Sequence, residues 1–166
     1  MSLDNFQIPP TLLPELYKDS LIVLDDKQSN PEKLNEKKVY FLGDNLKNIL
    51  ILVNNLEILH LNDEDLRFLT GILTACKLTF SDVTIFNTAS NLDYNYQKAV
   101  DHFKPKLILI LGTIHQKFNL PEFSDKYQPM VNQNIQLVFG TSLTEISKDV
   151  NEKKALWNCL KQIFGI

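Results

Sequence analysis

The stretch NILILV (Asn48–Val53) is continuously apolar from Ile49 onward. A second run of the same kind, LILIL (Leu107–Leu111), lies later in the chain and is followed by Gly112. Apolar runs without alternation are typical of strands that are covered on both faces, as in parallel sheets. The two runs therefore predict the centre of a buried sheet.

Further strands and helices alternate around these two runs. Val83–Phe86 and Ile135–Phe139 have the composition of strands. Helices are predicted after the polar cap Asn62–Asp65, over Tyr96–Phe103 and over Asn151–Ile163. This alternation predicts an α/β fold, a three-layer α/β/α domain with a mainly parallel central sheet.

Two local expectations follow from the same patterns. Val39–Leu42 reads as a strand that leads through a turn at Gly43–Asn45 into the NILILV strand. Trp157 lies in the last helix near Leu156 and Leu160, so we expect it to be buried in the core.

The composition predicts one folded domain preceded by an arm. A chain of 166 residues with 44% apolar residues has the length and the hydrophobic content of a single domain. Residues 1–20 hold three of the seven prolines, so we expect an arm over 1–20 and one domain over 21–166. The arm either covers an edge of the core or binds a partner. Its apolar side chains are Phe6, Ile8, Leu12, Leu13, Leu16 and Tyr17.

The charge balance argues against a DNA-reading protein. Seventeen Lys and Arg residues against twenty Asp and Glu residues give a net charge of −3, and Arg67 is the single arginine. Sequence-specific duplex recognition usually needs a basic surface that is rich in arginine. Cys76 and Cys159 do not form a CxxC motif, and the chain has neither a signal-peptide pattern nor a membrane-length apolar run. We therefore expect a cytoplasmic protein that binds neither membranes nor specific DNA sequences.

The common catalytic motifs are absent from the chain. It contains no GxGxxG, GxxxxGK[ST], GxSxG or HExxH sequence, so no catalytic residue, metal site or cofactor is predicted. His60, His102 and His115 have no potential ligands at metal-binding spacing, and we expect them to be surface or loop residues.

Polar residues follow several of the predicted strands. Because the carboxyl ends of parallel strands share one edge of a sheet, these residues are expected to line a crevice there. The candidate crevice residues are Asn54, Asn55, Asn87, Gly112, Thr141 and Ser142.

Three blocks resemble the uracil-DNA glycosylase superfamily in the same order. They are LRFLTGILTACKLTFSDVTIFN (Leu66–Asn87), AVDHFKPKLILILGTIHQKF (Ala99–Phe118) and TSLTEISKDVNEKKALWNCLKQIF (Thr141–Phe164). The resemblance implies a uracil-DNA glycosylase-like fold. It also places Asn87 at the position of the asparagine that hydrogen-bonds the uracil edge.

The catalytic motifs of that superfamily are degenerate in this chain. Its first motif carries glycines and a water-activating residue, whereas Val53–Glu57 here reads VNNLE. Its last motif begins with His-Pro, whereas Thr141–Ser142 here follows Phe139–Gly140 without a histidine. A base-excision site needs a group that activates water and a group that stabilises the departing base. The resemblance therefore implies a scaffold without the enzyme's chemistry.

The segment LILVNNLEILHLNDEDLRFLTGILTACKL (Leu50–Leu78) is similar to a non-catalytic branch with this fold, the psi-subunit family of the bacterial DNA polymerase III holoenzyme. In that family an N-terminal arm engages the clamp-loader ATPase subunit, and the folded body pairs with the chi subunit, which contacts single-strand-binding protein. The resemblance implies an adaptor in DNA replication, with Phe6–Tyr17 as the arm and a clamp-loader ATPase subunit and a chi-like subunit as partners.

Two other functions remain open from the sequence. One is a divergent uracil-DNA glycosylase-like enzyme or nucleobase-binding protein that reads a base through Asn87. The other is an α/β protein that binds an unrelated small ligand in the strand-end crevice.

Overall fold

A computed structural model describes residues 38–112, 114, 116–122 and 125–166. The predicted arm (Phe6, Ile8, Leu12, Leu13, Leu16, Tyr17), its boundary at residue 20 and His115 lie outside the described residues. The strands are β1 (Phe41–Leu42), β2 (Ile49–Val53), β3 (Val83–Asn87), β4 (Leu107–Leu111), β5 (Met130–Asn132) and β6 (Ile135–Gly140). The helices are α1 (Asp63–Ala75), α2 (Tyr96–Phe103), α3 (Leu143–Lys148) and α4 (Val150–Phe164), with short 3-10 turns at Phe80–Asp82 and Gln116–Phe118.

The six strands form one sheet in the order β1-β3-β2-β4-β6-β5. Strands β2, β3, β4 and β6 are parallel, with Ile51 opposite Ile85 on one side and opposite Leu109 on the other. All five residues of β2 and all five of β4 are buried. The prediction that NILILV and LILIL form the sheet centre is therefore confirmed.

The sheet as a whole is mixed, so the expectation of a mainly parallel sheet is wrong. Strand β1 pairs antiparallel with β3 and does not turn back onto β2. The backbone amides of Asn45, Leu46 and Lys47 donate to carbonyls at the start of β3 or in the turn before it. Gly43, with φ +92°, lies so close that a Cβ there would be 2.2 Å from the Val83 carbonyl oxygen. These contacts carry the chain across β3 and leave β1 at the outer edge.

The second antiparallel edge strand, β5, has no counterpart among the predicted elements. It pairs with β6 through a two-residue turn at Gln133 and Asn134, which have φ values of 49° and 64°. Two consecutive left-handed residues are the geometry of a tight hairpin turn. The usual sequence signal for such a turn is Asn-Gly or Asp-Gly, and the pair Gln-Asn lacks it.

Helices pack against both faces of the sheet. Alternate residues of β2, namely Ile49, Ile51 and Val53, lie in a hydrophobic cluster with residues of α1, α3 and α4. Leu50 and Leu52 point to the other face, in a second cluster that includes buried residues of α2. Strands that are covered in this way explain the uninterrupted apolar runs.

The predicted helices lie close to their expected positions. Asn62 caps α1, since its side-chain oxygen accepts from the Asp65 backbone amide at 2.7 Å, and α2 spans Tyr96–Phe103 as expected. Of the helices that the structure describes, none combines the length and apolarity needed to cross a lipid bilayer.

Trp157 is 37% exposed, so the expectation of a core tryptophan is wrong. The buried stripe of α4 consists of Leu156, Cys159 and Leu160. One residue advances an α-helix by about 100°, so Trp157 is rotated from the centre of that stripe to its margin.

Candidate functional site

The parallel strands β2, β3, β4 and β6 all end at one edge of the sheet, which we call the carboxyl edge. In the strand register Val53 lies opposite Asn87 and Leu111, and Leu111 lies opposite Gly140. From β2 the chain continues to β3 on one side and then to β4 on the other, so the winding changes direction between β2 and β4. Open α/β sheets bind ligands outside the strand ends at such a point. The carboxyl edge is therefore the first place to look for a site.

The predicted crevice residues lie along this edge in two groups. Asn54, Asn55 and Asn87 follow or end β2 and β3, whereas Gly112, Thr141 and Ser142 follow β4 and β6. The first group is joined by a hydrogen bond between Asn55 and Asn87. In the second group, a Cβ built on Gly112 would lie 3.4 Å from the Ser142 Cβ.

The Asn87 side chain is fully buried and is engaged with the loop after β2. Its Oδ1 accepts from the Asn55 amide at 2.9 Å and the Ala89 amide at 3.2 Å. Its Nδ2 donates to the carbonyl oxygens of Asn55 and Ile58, both at 2.8 Å, and lies 3.1 Å from Ser90 Oγ. A buried amide with its donors and acceptor paired stabilises the loop that supplies the partners. Asn87 would have to break these bonds to hydrogen-bond a base.

Apolar side chains on the same loop face outward. Leu56 is 86% exposed, and Ile58 and Leu59 are exposed as well. We call residues 55–59 the pinned loop, because Asn87 holds its backbone while its leucine and isoleucine side chains lie in solvent. Exposed apolar clusters of this kind are commonly found where proteins bind one another.

Two further polar residues stabilise this half of the edge. Thr88 Oγ1 donates to the Val53 carbonyl at 3.1 Å and to Asn54 Oδ1 at 3.3 Å. Asn91 exchanges two hydrogen bonds of 2.9 Å with the Tyr40 backbone and donates to the Asn87 carbonyl at 2.8 Å. Asn91 was not among the predicted crevice residues, because nothing in its neighbourhood along the sequence indicates a partner 51 residues away.

The other half of the edge contains a cleft of about 340 Å³. Ser142 lies in its wall and caps α3: its Oγ accepts from the Glu145 amide, and its own amide donates to Glu145 Oε2. The lining residues are Gly112, Lys126, Phe139, Gly140, Thr141, Ser142 and Glu145. This is the open part of the predicted crevice.

A tyrosine and a carboxylate close one side of this half. Tyr127 OH donates a short hydrogen bond to Glu152 Oε2, and Thr141 Oγ1 donates to the same oxygen at 3.0 Å. A Cβ on Gly140 would be 2.7 Å from the Tyr127 ring, so the ring packs directly on the β6 backbone. Burial, followed by the hydrogen bond to Glu152, raises the pKa of the Tyr127 hydroxyl. Tyr127 is thus a hydrogen-bond donor near neutral pH, and Glu152 is an acceptor that is already occupied.

None of the described cysteine and histidine side chains lines the cleft at the carboxyl edge. Cys76 and Cys159 are buried, and burial raises the pKa of both thiols, which disfavours the nucleophilic thiolate. His102 lies on the exposed face of α2 with its Nδ1 3.3 Å from Tyr94 OH, and His60 is half-buried in the segment before α1. Within the described ranges, no three His, Cys, Asp or Glu side chains cluster as metal ligands would.

Comparisons with protein-family models and with curated proteins give no match to this chain.

Proposed function

We propose that this chain is a non-catalytic accessory protein of DNA replication, a psi-like adaptor in the clamp-loader assembly of a bacterial DNA polymerase III. It binds a clamp-loader ATPase subunit through the arm over Phe6–Tyr17 and a chi-like subunit through its folded body. In this proposal the three-layer, uracil-DNA glycosylase-like scaffold serves to present binding surfaces.

The observation that carries the proposal is the role of Asn87. At the position where the resemblance expects a base-reading amide, both polar atoms of the side chain are bonded to residues 55–59 or their neighbours. The same bonds hold Leu56 and Leu59 in exposed positions. The residue that the resemblance aligns with a base-reading amide is bonded in this chain to a loop with exposed apolar side chains, which suits a protein that binds proteins.

The arrangement of strands and helices also supports the proposal. Four parallel strands in the order β3-β2-β4-β6 have helices packed on both faces, which is compatible with the three-layer fold that the resemblance implies. The positions that the resemblance aligns with the superfamily's catalytic motifs are occupied here by the end of β2 and the loop after it (Val53–Glu57) and by the cap of α3 (Ser142). A protein can share the fold of an enzyme family without its catalytic activity, because function depends on particular site residues and not on the fold alone.

A binding experiment with purified proteins tests the proposal. The full chain is mixed with the clamp-loader ATPase subunit from the same cell and analysed by size-exclusion chromatography. We expect co-elution as a complex, and recovery of clamp-loader subunits with the tagged chain at native abundance. If purified subunits do not bind and no replisome component is recovered, the adaptor assignment is wrong.

A matched pair of variants separates the arm from the body. The double change Leu12→Asp and Leu16→Asp places charges on the apolar arm and should abolish binding to the ATPase subunit. Leu56→Asp on the pinned loop should leave that complex intact, since the proposal assigns the body to a different partner. Equal binding by wild type and the arm variant would contradict the assignment of the arm.

A second function is favoured by one observation, the cleft beside Gly112. Its volume of about 340 Å³ is within the range of small-ligand sites, and Lys126 in its wall supplies a cation. A nucleobase-binding protein or a divergent glycosylase-like enzyme would use this cleft.

Incubation of the full chain with uracil-containing single- and double-stranded oligonucleotides tests this alternative. Excision by the wild type that is lost in Asn87→Asp, with the fold intact by circular dichroism, would establish the enzyme and overturn the adaptor. Asn87→Asp keeps an acceptor for the Asn55 amide and removes the amide donor that a base would need. We expect no excision by either protein.

A further inference from the structure

A groove of about 410 Å³ lies between α1 and α4. Each helix lines it with residues at helical spacing, so the groove runs between two helix faces. We call it the α1–α4 groove. Its lining residues are Arg67, Phe68, Gly71, Ile72 and Ala75 from α1, and Lys153, Leu156, Trp157 and Leu160 from α4.

The groove is apolar except at its margin. Seven of its nine lining residues are apolar or glycine, and the other two, Arg67 and Lys153, carry positive charge. Lys153 Nζ lies 5.9 Å from the centre of the Phe68 ring, at cation–π distance. Lys154 and Lys161 lie three residues before and four residues after Trp157, on the same side of α4. The groove therefore combines an apolar floor with a basic margin in a chain of net charge −3.

Gly71 contributes no side chain to the α1 side of the groove. It lies in the interior of α1, where glycine costs about 1 kcal/mol relative to alanine. A Cβ built on Gly71 would meet no described atom from elsewhere in the fold within 4 Å. Packing inside the described chain therefore does not require glycine at this position, and its absent side chain enlarges the groove.

Arg67 and Trp157 are available to an incoming ligand. The Arg67 guanidinium makes no hydrogen bond or ion pair with another described residue, although Asp63 and Glu64 lie one turn earlier on α1. Trp157 is 37% exposed at the groove margin. Tryptophan and arginine beside an apolar pocket are the residues that most often dominate protein–protein binding energy.

We propose that the α1–α4 groove binds an amphipathic helix of a partner protein, with apolar side chains in the groove and acidic side chains facing Arg67 and Lys153. This inference deepens the proposed adaptor function and rests on it. Helices commonly bind between two others by placing an apolar face in such a groove. Opposite charge at the margin then selects the partner and orients it.

Two other occupants fit the groove less well. A second copy of the chain, related by a twofold axis, would bring the basic margins of two grooves together and be repelled. Single-stranded nucleic acid binds through a series of stacking aromatic side chains along a basic channel. Here the floor is largely aliphatic, with Ile72, Leu156 and Leu160, and offers little for successive bases.

Trp157 is the single tryptophan of the chain, so its fluorescence reports directly on the groove. The full chain is titrated with two short helical peptides that share one leucine stripe and carry either Glu or Lys beside it. We expect the acidic peptide to change the Trp157 emission saturably and to bind at least about tenfold more tightly than the basic peptide, at moderate salt. Equal affinity for the two peptides, or no binding by either, would overturn the proposal.

Charge reversal provides the matched test. The double variant Arg67→Glu and Lys153→Glu should prefer the basic peptide, whereas the control Lys98→Glu on α2, which packs on the opposite face of the sheet, should retain the wild-type preference. Gly71→Leu fills the groove and should weaken both peptides while α1 stays folded. Unchanged peptide preference in the double variant would show that the groove is not the binding site.

The remaining outcomes assign the groove to another occupant or separate the two proposals. Dimers in sedimentation that are lost in Gly71→Leu, or tighter binding of a single-stranded oligonucleotide than of the acidic peptide, would overturn the inference. If neither peptide binds but the chain still binds the clamp-loader subunit, the groove is not a helix-binding site and the adaptor function stands. The converse result, peptide selectivity without any clamp-loader complex, would keep the groove and reject the psi-like assignment.

Discussion

The carboxyl edge and the α1–α4 groove use their side chains in opposite ways. At the edge, polar Asn87 is fully buried and is bonded to the chain's own backbone. In the groove, apolar Trp157 and Phe68 line a concave surface and Arg67 has no partner among the described residues. Residue type alone would have assigned binding to the edge and packing to the helix. The comparison teaches that a side chain is available for binding only where the fold leaves its polar groups unpaired or its apolar surface exposed.

The largest expected effect is at the floor of the groove. Leu160→Ala should lower the free energy of unfolding by about 3 kcal/mol, because Leu160 is 1% exposed and its truncation leaves a cavity between α4 and the sheet. Urea denaturation of the full chain measures it. A loss below about 1 kcal/mol would mean that the floor is loosely packed, which would weaken the distinction between floor and margin.

Asn87→Leu should cost about 2 kcal/mol, since leucine leaves the Asn55 amide and the Ile58 carbonyl without their partner. The same denaturation experiment gives the value, and hydrogen exchange at residues 55–59 should increase. Leu56→Ser serves as the control, because its side chain is exposed and should change stability little. If Asn87→Leu were neutral, the polar edge would not be structural and a ligand-binding role for Asn87 would gain support.

Ser142→Ala should cost about 1 kcal/mol through loss of the α3 cap, while Ser142→Asp keeps an acceptor for the Glu145 amide and should cost less. Thermal unfolding of the two variants checks the order. A reversed order would show that capping is not the role of Ser142, and the cleft beside Gly112 would then become the better candidate for a site.

The smallest expected effect is that of Trp157→Ala, about 1 kcal/mol or less, because Trp157 is 37% exposed and lies at the margin of the buried stripe of α4. Truncation of a fully buried tryptophan would instead lower the free energy of unfolding by several kcal/mol. Chemical denaturation followed by circular dichroism measures it, since the variant has no tryptophan fluorescence. A loss comparable to that of Leu160→Ala would restore Trp157 to the core and remove it from the proposed interface.

Much of the local structure could be predicted from the sequence. The apolar runs at Ile49–Val53 and Leu107–Leu111 and the helix at Tyr96–Phe103 form where the patterns place them. Burial on both faces and helix capping depend on residues that are neighbours in the sequence, so their signals are local. The hairpin of β5 and β6 was missed because Gln133 and Asn134 adopt left-handed conformations without a glycine.

For the candidate site residues, the sequence indicates that they follow strands, but it does not indicate the hydrogen-bond partners of their side chains. The crevice residues do end up along one edge, because parallel strands have their carboxyl ends together. Whether Asn87 faces a ligand or the loop depends on Asn55, which is 32 residues away in sequence. The α1–α4 groove had no sequence signal of its own, since it exists only where two distant helices leave a space between them.

The sequence by itself determined the central strands, the helices at Asp63–Ala75, Tyr96–Phe103 and Val150–Phe164, and most of their buried faces, since periodicity and capping act over a few residues. Only the tertiary structure decided that β1 pairs with β3, that the Asn87 amide is hydrogen-bonded to the loop after β2 and that Trp157 is exposed. These outcomes depend on contacts between segments that are far apart in the sequence. A long-range hydrogen bond or a groove between two helices forms only when such segments pack together, so neither can be predicted from a single residue and its neighbours in the sequence.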